Sequence, residues 1–331
     1  FDRGSNAAAT RIGSDGLLKK YRENLFTESN NFSDSDWTKV NASVTSGQAD
    51  KDGGTDAWLV SVSGSGSKYV LQSEAATGVH TFSLYAKKGT SKGIRISLFG
   101  GGDRWANFNL ETGALVATGN SPIDTKIESI GEGGWFRISV VSNKTASGWG
   151  AIYPLDNSFN ANYTANGENI YIQSTQLETG LVATEYLNST SVTAKAGVLI
   201  DLPRINYDAN GENGALLLEP SRQQLITQSE YFGGGDWTRT NIGAITNAII
   251  SPQGVQNATK LTESGATNTN FRLRSSSTST SGANTLSIFA KAGERNWVFL
   301  RENAQTGVFA YFNLEDGTIG QNTADNPTIE P

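Results

Sequence analysis

The sequence predicts an all-β protein made of tandem antiparallel β-sandwiches of the jelly-roll type, joined by short β connectors. The composition favours many short strands and turns, since 37 glycines accompany 14 phenylalanines, 10 tyrosines and 7 tryptophans. Short segments alternate strictly between apolar and polar residues, which is typical of strands with one buried face. Several segments also occur twice in the same order, as in chains that repeat a structural unit.

The alternation is clearest in four segments, and each is predicted to be a strand. In "HTFSLYAKK" it places Phe82, Leu84 and Ala86 on one face. The other segments are "GIRISLF" (93–99), "RWANFNL" (104–110) and "WFRISVV" (135–141). Glycine in "LETG" and "LEDG" predicts tight hairpin turns at Gly113 and Gly317.

The repeated segments define a unit that the chain uses twice. Residues 26–39, "FTESNNFSDSDWTK", match residues 226–239, "ITQSEYFGGGDWTR", at an offset of 200. Further along, "HTFSLYAKKG" at 80–89 matches "NTLSIFAKAG" at 284–293, and "ANFNLETG" at 106–113 matches "AYFNLEDG" at 310–317. The offset has then become 204, which predicts a four-residue insertion in an intervening loop.

The repeat predicts four regions. Residues 1–22 form an N-terminal connector or neck, 23–189 a first jelly-roll domain, 190–222 a second connector, and 223–331 a second, incomplete jelly-roll domain. The second copy has no counterpart of "GWFRISVV" (134–141) or of "ENIYIQSTQLETG" (168–180), both predicted to be core strands. We expect the natural chain to continue, or another chain to complete this domain. Trp37, Trp135 and Trp237 are expected in the cores.

Charge and residue types exclude several classes of function. A net charge of −6 argues against a phosphate-backbone binder, so no nucleic-acid partner is expected. No apolar run is long enough to span a bilayer, so no membrane insertion is expected. The absence of cysteine excludes disulfides and thiolate metal sites.

Catalysis is not expected, and no catalytic residue is predicted. The single histidine, His80, corresponds to Asn284 in the second copy, which argues against a triad base or a histidine metal site. The residue types still allow hydrolysis by a carboxylate pair. However, Asp103, Glu128 and Glu132 lie in turn-like contexts without the apolar surroundings that raise a carboxyl pKa.

Cofactors are not expected, with calcium as an alternative at two acidic loops. Hard cations prefer oxygen ligands, which are clustered in "DSD" and "DKDGGTD". The candidate ligands are Asp34, Asp36, Asp52 and Asp56. The second copy lacks these acidic clusters, so they are not part of the shared scaffold.

Three further motifs resemble bacteriophage virion fibre proteins. "PRINYD" (203–208), "GALLLEPSRQQLITQSEYF" (214–232) and "YIQSTQLETGLVATEYLNST" (171–190) are similar to the connector-plus-sandwich repeats of those proteins. Such units look like carbohydrate-binding modules, and they occur in tail fibres, tailspikes and head fibres. The resemblance implies a homotrimeric structural protein that is assembled in the bacterial cytoplasm and exposed on the virion. Its implied partners are other virion proteins and host-cell polysaccharide.

The predicted non-core sheet face combines aromatic with polar side chains, which is what a sugar-binding face needs. In the first copy these residues are Tyr85, Lys87, Arg95, Trp105 and Asn107. In the second copy they are Phe289, Phe299, Arg301, Phe309 and Tyr311. The same pattern also fits the inner face of a second sheet, or a contact between subunits.

The sequence therefore predicts a virion fibre protein that displays glycan-binding modules. One alternative is a purely structural head or capsid decoration fibre without a ligand. A second alternative is the non-catalytic part of a polysaccharide-degrading tailspike. The position on head or tail stays open.

Overall fold

The computed structural model describes residues 10–198, 202–208, 210–218, 223–264, 270–275, 282–302 and 307–330. Within these ranges the regular structure is entirely β, and every paired strand is antiparallel. This confirms the all-β prediction. None of the described residues forms a helix that is long and apolar enough to cross a membrane.

A small hairpin precedes the first sandwich. Its strands and the next one are β1 (Thr10–Ile12), β2 (Leu18–Lys20) and β3 (Arg22–Asn24). The hairpin pairs β1 with β2, while β3 pairs with a strand far along the chain, β16 (Ala194–Ala196). The strand that leads into the sandwich therefore lies beside the strand that leaves it.

Twelve strands form the first sandwich. They are β4 (Thr38–Val40), β5 (Ala42–Gln48), β6 (Ala57–Gly64), β7 (Tyr69–Glu74), β8 (Gly78–Lys88), β9 (Gly93–Phe99), β10 (Asp103–Asn109), β11 (Ala114–Gly119), β12 (Asp124–Ile130), β13 (Trp135–Lys144), β14 (Gly148–Pro154) and β15 (Ala165–Thr179). Sheet A has the order β11-β10-β9-β14-β7-β4, and sheet B has the order β12-β13-β8-β15-β6-β5. The jelly-roll assignment and the domain boundaries stay predictions.

The core lies between these two sheets, where the alternation predicted it. Leu84 on β8, Ile96 on β9 and Phe108 on β10 are fully buried. They belong to one apolar cluster that draws on both sheets. Excluding these side chains from water is the main favourable contribution to folding.

Trp37 closes one side of this core. It is buried, and its ring lies between Phe26 (centroids 5.4 Å apart) and Phe32 (5.0 Å). Its indole N–H donates to the carbonyl of Glu28 at 3.0 Å. The prediction that Trp37 is a core residue is confirmed, and Trp135 is buried as well, although it is not part of this apolar cluster.

Residues 181–189, here called the strap, cover part of the outer face of sheet B. Glu178 on β15 accepts hydrogen bonds from the backbone N–H of Thr184 (2.8 Å) and from its hydroxyl (2.6 Å). Leu187 donates its N–H to Gln176 at 2.7 Å. Because the strap excludes water here, burial raises the pKa of Glu178 above its ordinary value.

The second connector and second repeat contain short, separate sheets. Their strands are β17 (Ile205–Asn206), β18 (Ala215–Leu216), β19 (Trp237–Thr240), β20 (Ile242–Ile249), β21 (Ala258–Glu263), β22 (Arg272–Ser275), β23 (Trp297–Glu302), β24 (Val308–Asn313) and β25 (Ile319–Asn322). The pairs are β17-β18, β19-β22 and β20-β21, and β23-β24-β25 form a three-stranded sheet. Trp237 is only half-buried, so its predicted place in a core is wrong in this structure.

Candidate functional site

The structure separates the residues that were assigned to one face of the first sandwich. Tyr85 and Lys87 lie on β8 in sheet B, whereas Arg95, Trp105 and Asn107 lie on β9 and β10 in sheet A. The short link between β8 and β9 crosses from one sheet to the other. Alternation identified both sets as pointing away from the core, but the two sets lie on opposite outer faces. They are therefore not the inner face of a second sheet.

The outer face of sheet A carries a row of polar and aromatic side chains across four adjacent strands. Asn107, Arg95 and Tyr153 are neighbours in the register of β10, β9 and β14. The ring of Tyr69, on β7, lies 5.4 Å from that of Tyr153. We call Asn107, Arg95, Tyr153 and Tyr69 the sheet A row.

Arg95 is held in place within this row. Its Nε donates to Oδ1 of Asn107 at 2.8 Å, and its guanidinium lies 3.8 Å from the centroid of the Trp105 ring. Asn107 in turn donates its side-chain N–H to the carbonyl of Phe159 at 3.2 Å. A cation above an indole ring is attracted by the ring's electron-rich face. The guanidinium is thus fixed before any ligand arrives.

Trp105 has a different role from the one that the sequence suggested. On its other neighbour strand, β11, it faces Gly119, where even a single added Cβ would overlap the indole ring. The ring therefore packs onto the backbone at Gly119 and supports Arg95. Trp105 is accordingly a residue that positions Arg95.

A second aromatic pair lies on the same outer face. The rings of Phe99 and Trp149 are stacked, with centroids 4.1 Å apart and planes 8° from parallel. Between this pair and the sheet A row, the Ser97 hydroxyl hydrogen-bonds to the carboxylate of Asp103. The face thus offers rings on two sides of a polar centre.

Burial sets the charge states of two groups in the sheet A row. Burial lowers the pKa of Arg95 from its ordinary value, although the Asp103 carboxylate opposes this change, and the guanidinium stays charged. Burial also raises the pKa of Tyr153 to about 12, so its phenol is neutral in the physiological range. A neutral phenol can both donate and accept a hydrogen bond.

The other outer face, on sheet B, is more fully occupied by the protein's own groups. The ring of Tyr85 meets Lys51 Nζ at 4.7 Å and the Arg137 guanidinium at 5.4 Å. A cavity of about 30 Å³ lies near Arg137, which is room for about one water molecule. Tyr85 thus lies between two cations of its own chain.

In the second repeat, the structure brings together four of the five predicted residues. On β23 and β24, Phe299 lies 4.7 Å from Tyr311 and 5.6 Å from Phe309, measured between ring centroids. Arg301 is directly opposite Phe309 in the register. Phe289 lies outside the strands and is 70% exposed. The cluster occupies the position that Arg95, Trp105 and Asn107 have in the first repeat.

The acidic loops do not bring the predicted calcium ligands together. Asp50 organises one loop by accepting the backbone N–H groups of Asp52 (2.8 Å) and Asp56 (3.1 Å), while Asp52 pairs with Lys51. In the other loop, Asp34 accepts the N–H of Asp36 at 2.9 Å. Among the residues described, no three acidic or histidine side chains form a group that could hold a metal ion. Calcium at these loops stays a prediction.

Sequence reasoning missed half of the sheet A row and the stacked tryptophan. Tyr153 and Trp149 lie on β14, "GWGAIYP", and Tyr69 begins β7. The signal was present, since Trp149, Ala151 and Tyr153 alternate with smaller or apolar residues. What the sequence did not provide was the strand order, which places β14 between β9 and β7.

Comparison with known proteins shows only weak similarity to solved structures. No profile of a known protein family matches the chain, and no curated protein matches it. Among solved structures, the chain is similar to the enzymatically active domain of tailspike protein 4 from bacteriophage CBA120, with 15% sequence identity and a TM-score of 0.25. The match covers 46% of this chain and 21% of the solved chain. At this level the similarity assigns neither an activity nor a ligand.

The comparison does correct one prediction. The solved tailspike domain is described as enzymatically active, so the prediction that this chain is not an enzyme is withdrawn. That prediction rested on the single histidine and on the turn-like contexts of Asp103, Glu128 and Glu132. A carboxylate pair can hydrolyse a glycosidic bond without histidine or cysteine.

Proposed function

We propose that this chain is a repeated module of a phage virion fibre or spike, and that the outer face of sheet A binds saccharides of the host surface. The motifs shared with virion fibre repeats support the first part. The observation that carries the second part is the sheet A row, in which a fixed guanidinium adjoins two tyrosine rings. The module is displayed on the particle surface.

The row has the chemistry that saccharide recognition requires. Tyrosine rings offer apolar surface for the C–H face of a pyranose, and their hydroxyls remain available for hydrogen bonds. Arg95 presents donors in a fixed geometry, which suits pairs of hydroxyls or a sugar carboxylate. Because Trp105 and Asn107 already hold the guanidinium, little conformational entropy is lost on binding.

We expect weak binding of an extended glycan chain at each site. Weak sites become useful when several are displayed together, since linked sites raise the effective concentration. We propose a homotrimer, with other virion proteins as further partners. In support, the second connector exposes Leu216 and Leu218, which are 46% and 73% accessible in one chain. Neighbouring subunits would cover these side chains.

A purely structural role is the second candidate, and the internal contacts of the outer faces favour it. The rings of Trp105 and Tyr85 both make cation–π contacts with side chains of their own chain. In that case the sheet A row would be a packing surface between subunits and would bind no glycan.

Glycan-array binding of the intact chain distinguishes these two functions. We expect Tyr153→Ala to weaken binding by roughly tenfold or more, because it removes a ring from the face. Tyr85→Ala is the matched control, since it removes the same group from the opposite sheet and should bind like wild type. Trp105→Ala should give an intermediate loss by releasing Arg95.

Two results would overturn the proposal. If the wild type binds no glycan on the array, the binding function fails. If Tyr153→Ala binds as well as wild type, the face is wrong. The trimer is tested separately by sedimentation velocity, where a monomeric mass for the intact protein would refute it.

A further inference from the structure

The second repeat contacts the first through Asn247, which lies at the irregular part of β20. Its side-chain N–H group donates to Oδ2 of Asp124 at 2.6 Å and to the carbonyl of Leu181 at 2.9 Å. The backbone carbonyl of Asn247 accepts a hydrogen bond from the side-chain amide of Gln256 at 2.9 Å. Asn247 is 9% exposed, so this contact is sheltered from water.

Asn247 replaces a glycine of the first repeat without changing the backbone. Its φ is 54°, and that of its counterpart Gly47 is 76°, so both lie in the left-handed region. Glycine and asparagine are the residues that tolerate this conformation best. Nothing lies within 4 Å of the Cβ position at Gly47. The asparagine side chain therefore adds an inter-repeat contact to a turn that needs no side chain.

Tyr231 makes a second contact of the same kind. It packs against an apolar cluster of the first repeat that contains Val79, Val141 and Leu181. Its counterpart in the first repeat is Asn31. Here too the second repeat has a side chain suited to this contact where the first has a polar one.

The connector regions add polar contacts around these two residues. Lys20 pairs with Glu230 at 2.8 Å, and Glu230 replaces Asn30 of the first repeat. The two connector hairpins also bond to each other, since the Ile12 N–H donates to Asn206 Oδ1 at 2.7 Å. The Tyr207 N–H donates to the carbonyl of Ile12 at 3.2 Å.

We propose that Val79, Ile123, Asp124, Val141 and Leu181 form a docking surface for the repeat that follows. Asn247 and Tyr231 recognise this surface and fix the second repeat against the first. The contact is heterologous, because the first repeat uses the start of β8 and the region around the strap, while the second uses its opening segment. Contacts of this kind extend repeats head to tail in a single direction. This inference is independent of whether the sheet A row binds a glycan.

A distance measurement between the repeats tests the docking. The chain contains no cysteine, so two introduced cysteines, Ser46→Cys and Thr238→Cys, take spin labels specifically. Both positions are exposed, and one lies on each repeat. Double electron–electron resonance of the full chain should then show one narrow distance population.

Replacing the recognition residues by their first-repeat counterparts should undock the repeats. Asn247→Gly keeps the left-handed turn, and we expect the ratio of docked to undocked chains to fall by roughly tenfold, because it removes a hydrogen bond to a charged group. Asn247→Gly combined with Tyr231→Asn should give a broad distance distribution. Asn241→Gly is the matched control, since Asn241 has a φ of 53° and, among the described residues, donates to Asn270 of its own repeat.

The outcomes separate docking from general loss of structure. A broad distribution in the wild type would overturn the proposal, and so would a narrow one in the double variant. If the double variant unfolds the second repeat, Asp124→Ala carries the test, because it alters only the first repeat. That variant should shift the distribution toward longer and broader distances, and an unchanged distribution would also refute the proposal.

Discussion

The first sandwich and the second repeat begin with nearly the same residues but bury them to different extents. In both, the tryptophan indole N–H donates to the carbonyl nine residues earlier at 3.0 Å, and a phenylalanine ring lies 5.0 Å away. Yet Trp37 is buried and Trp237 is half-exposed. The hydrogen bond and the ring contact of the tryptophan thus form from nearby residues alone. The burial of the tryptophan depends on strands from far along the chain.

The same difference holds on the strand that should form the centre of a sheet. Leu84 on β8 is fully buried, and its counterpart Ile288 is 46% exposed. In the first sandwich β8 pairs with both β13 and β15. The segment that aligns with β8, residues 284–293, lies outside the strands, so alternation alone does not make it a strand.

The largest effect on stability that tests this comparison is expected for the matched substitutions Trp37→Ala and Trp237→Ala. Removing Trp37 leaves a cavity between two phenylalanines and should lower the free energy of unfolding by about 3–5 kcal/mol. Trp237→Ala should cost less than about 2 kcal/mol, because less of its surface is buried. Urea denaturation of both variants measures the difference. Equal losses would show that the two sites are equally buried in solution.

A smaller effect is expected from Asn24→Ala compared with Gln224→Ala. Asn24 is fully buried, donates to the carbonyls of Thr175 and Leu187, and accepts from two backbone N–H groups. Its loss leaves several buried polar groups unpaired, which should cost about 2–3 kcal/mol. Gln224 is exposed, so its substitution should change the unfolding free energy by less than about 0.5 kcal/mol. If Gln224→Ala lowers the unfolding free energy as much as Asn24→Ala does, Gln224 is not exposed in the way the structure shows.

The smallest effect concerns pH and the pair His80 and Asn284. Burial lowers the pKa of His80 from its ordinary value of 6.5. The unfolded chain therefore binds the proton more readily, so stability is full above pH 6.5 and declines as the pH falls below it. The slope is at most about 1.4 kcal/mol per pH unit. His80→Asn introduces the second-repeat residue and should make the urea denaturation midpoint depend less on pH between pH 7 and 5. If the midpoint of the variant depends on pH as strongly as that of the wild type, His80 is not the source of this dependence.

Alternation along single strands predicted which residues face the core, because that property is local. The buried residues of β8, β9 and β10 lie where the pattern placed them. The sheet to which each strand belongs is a non-local property, and for this reason Tyr85 was grouped with Arg95. The same limit applies to Glu178, which points away from the core but is buried by the strap, a segment without strand periodicity.

The candidate site was partly predictable for the same reason. Arg95, Trp105 and Asn107 lie on two consecutive strands, so their proximity follows from one hairpin. Tyr153 and Tyr69 reach the same row only through the strand order of sheet A. The role of Trp105 depends on a glycine across the sheet, which no pattern within β10 reveals.

The pairing of β3 with β16 determines how the first sandwich would respond to mechanical force. The strands that lead into and out of the sandwich, β3 and β16, are antiparallel neighbours joined over three residue pairs, so the chain enters and leaves at the same end. Tension along the chain would separate these two strands one residue pair at a time, instead of sliding the sheets past each other. This strand pair would therefore open before the force reaches the two sheets of the sandwich.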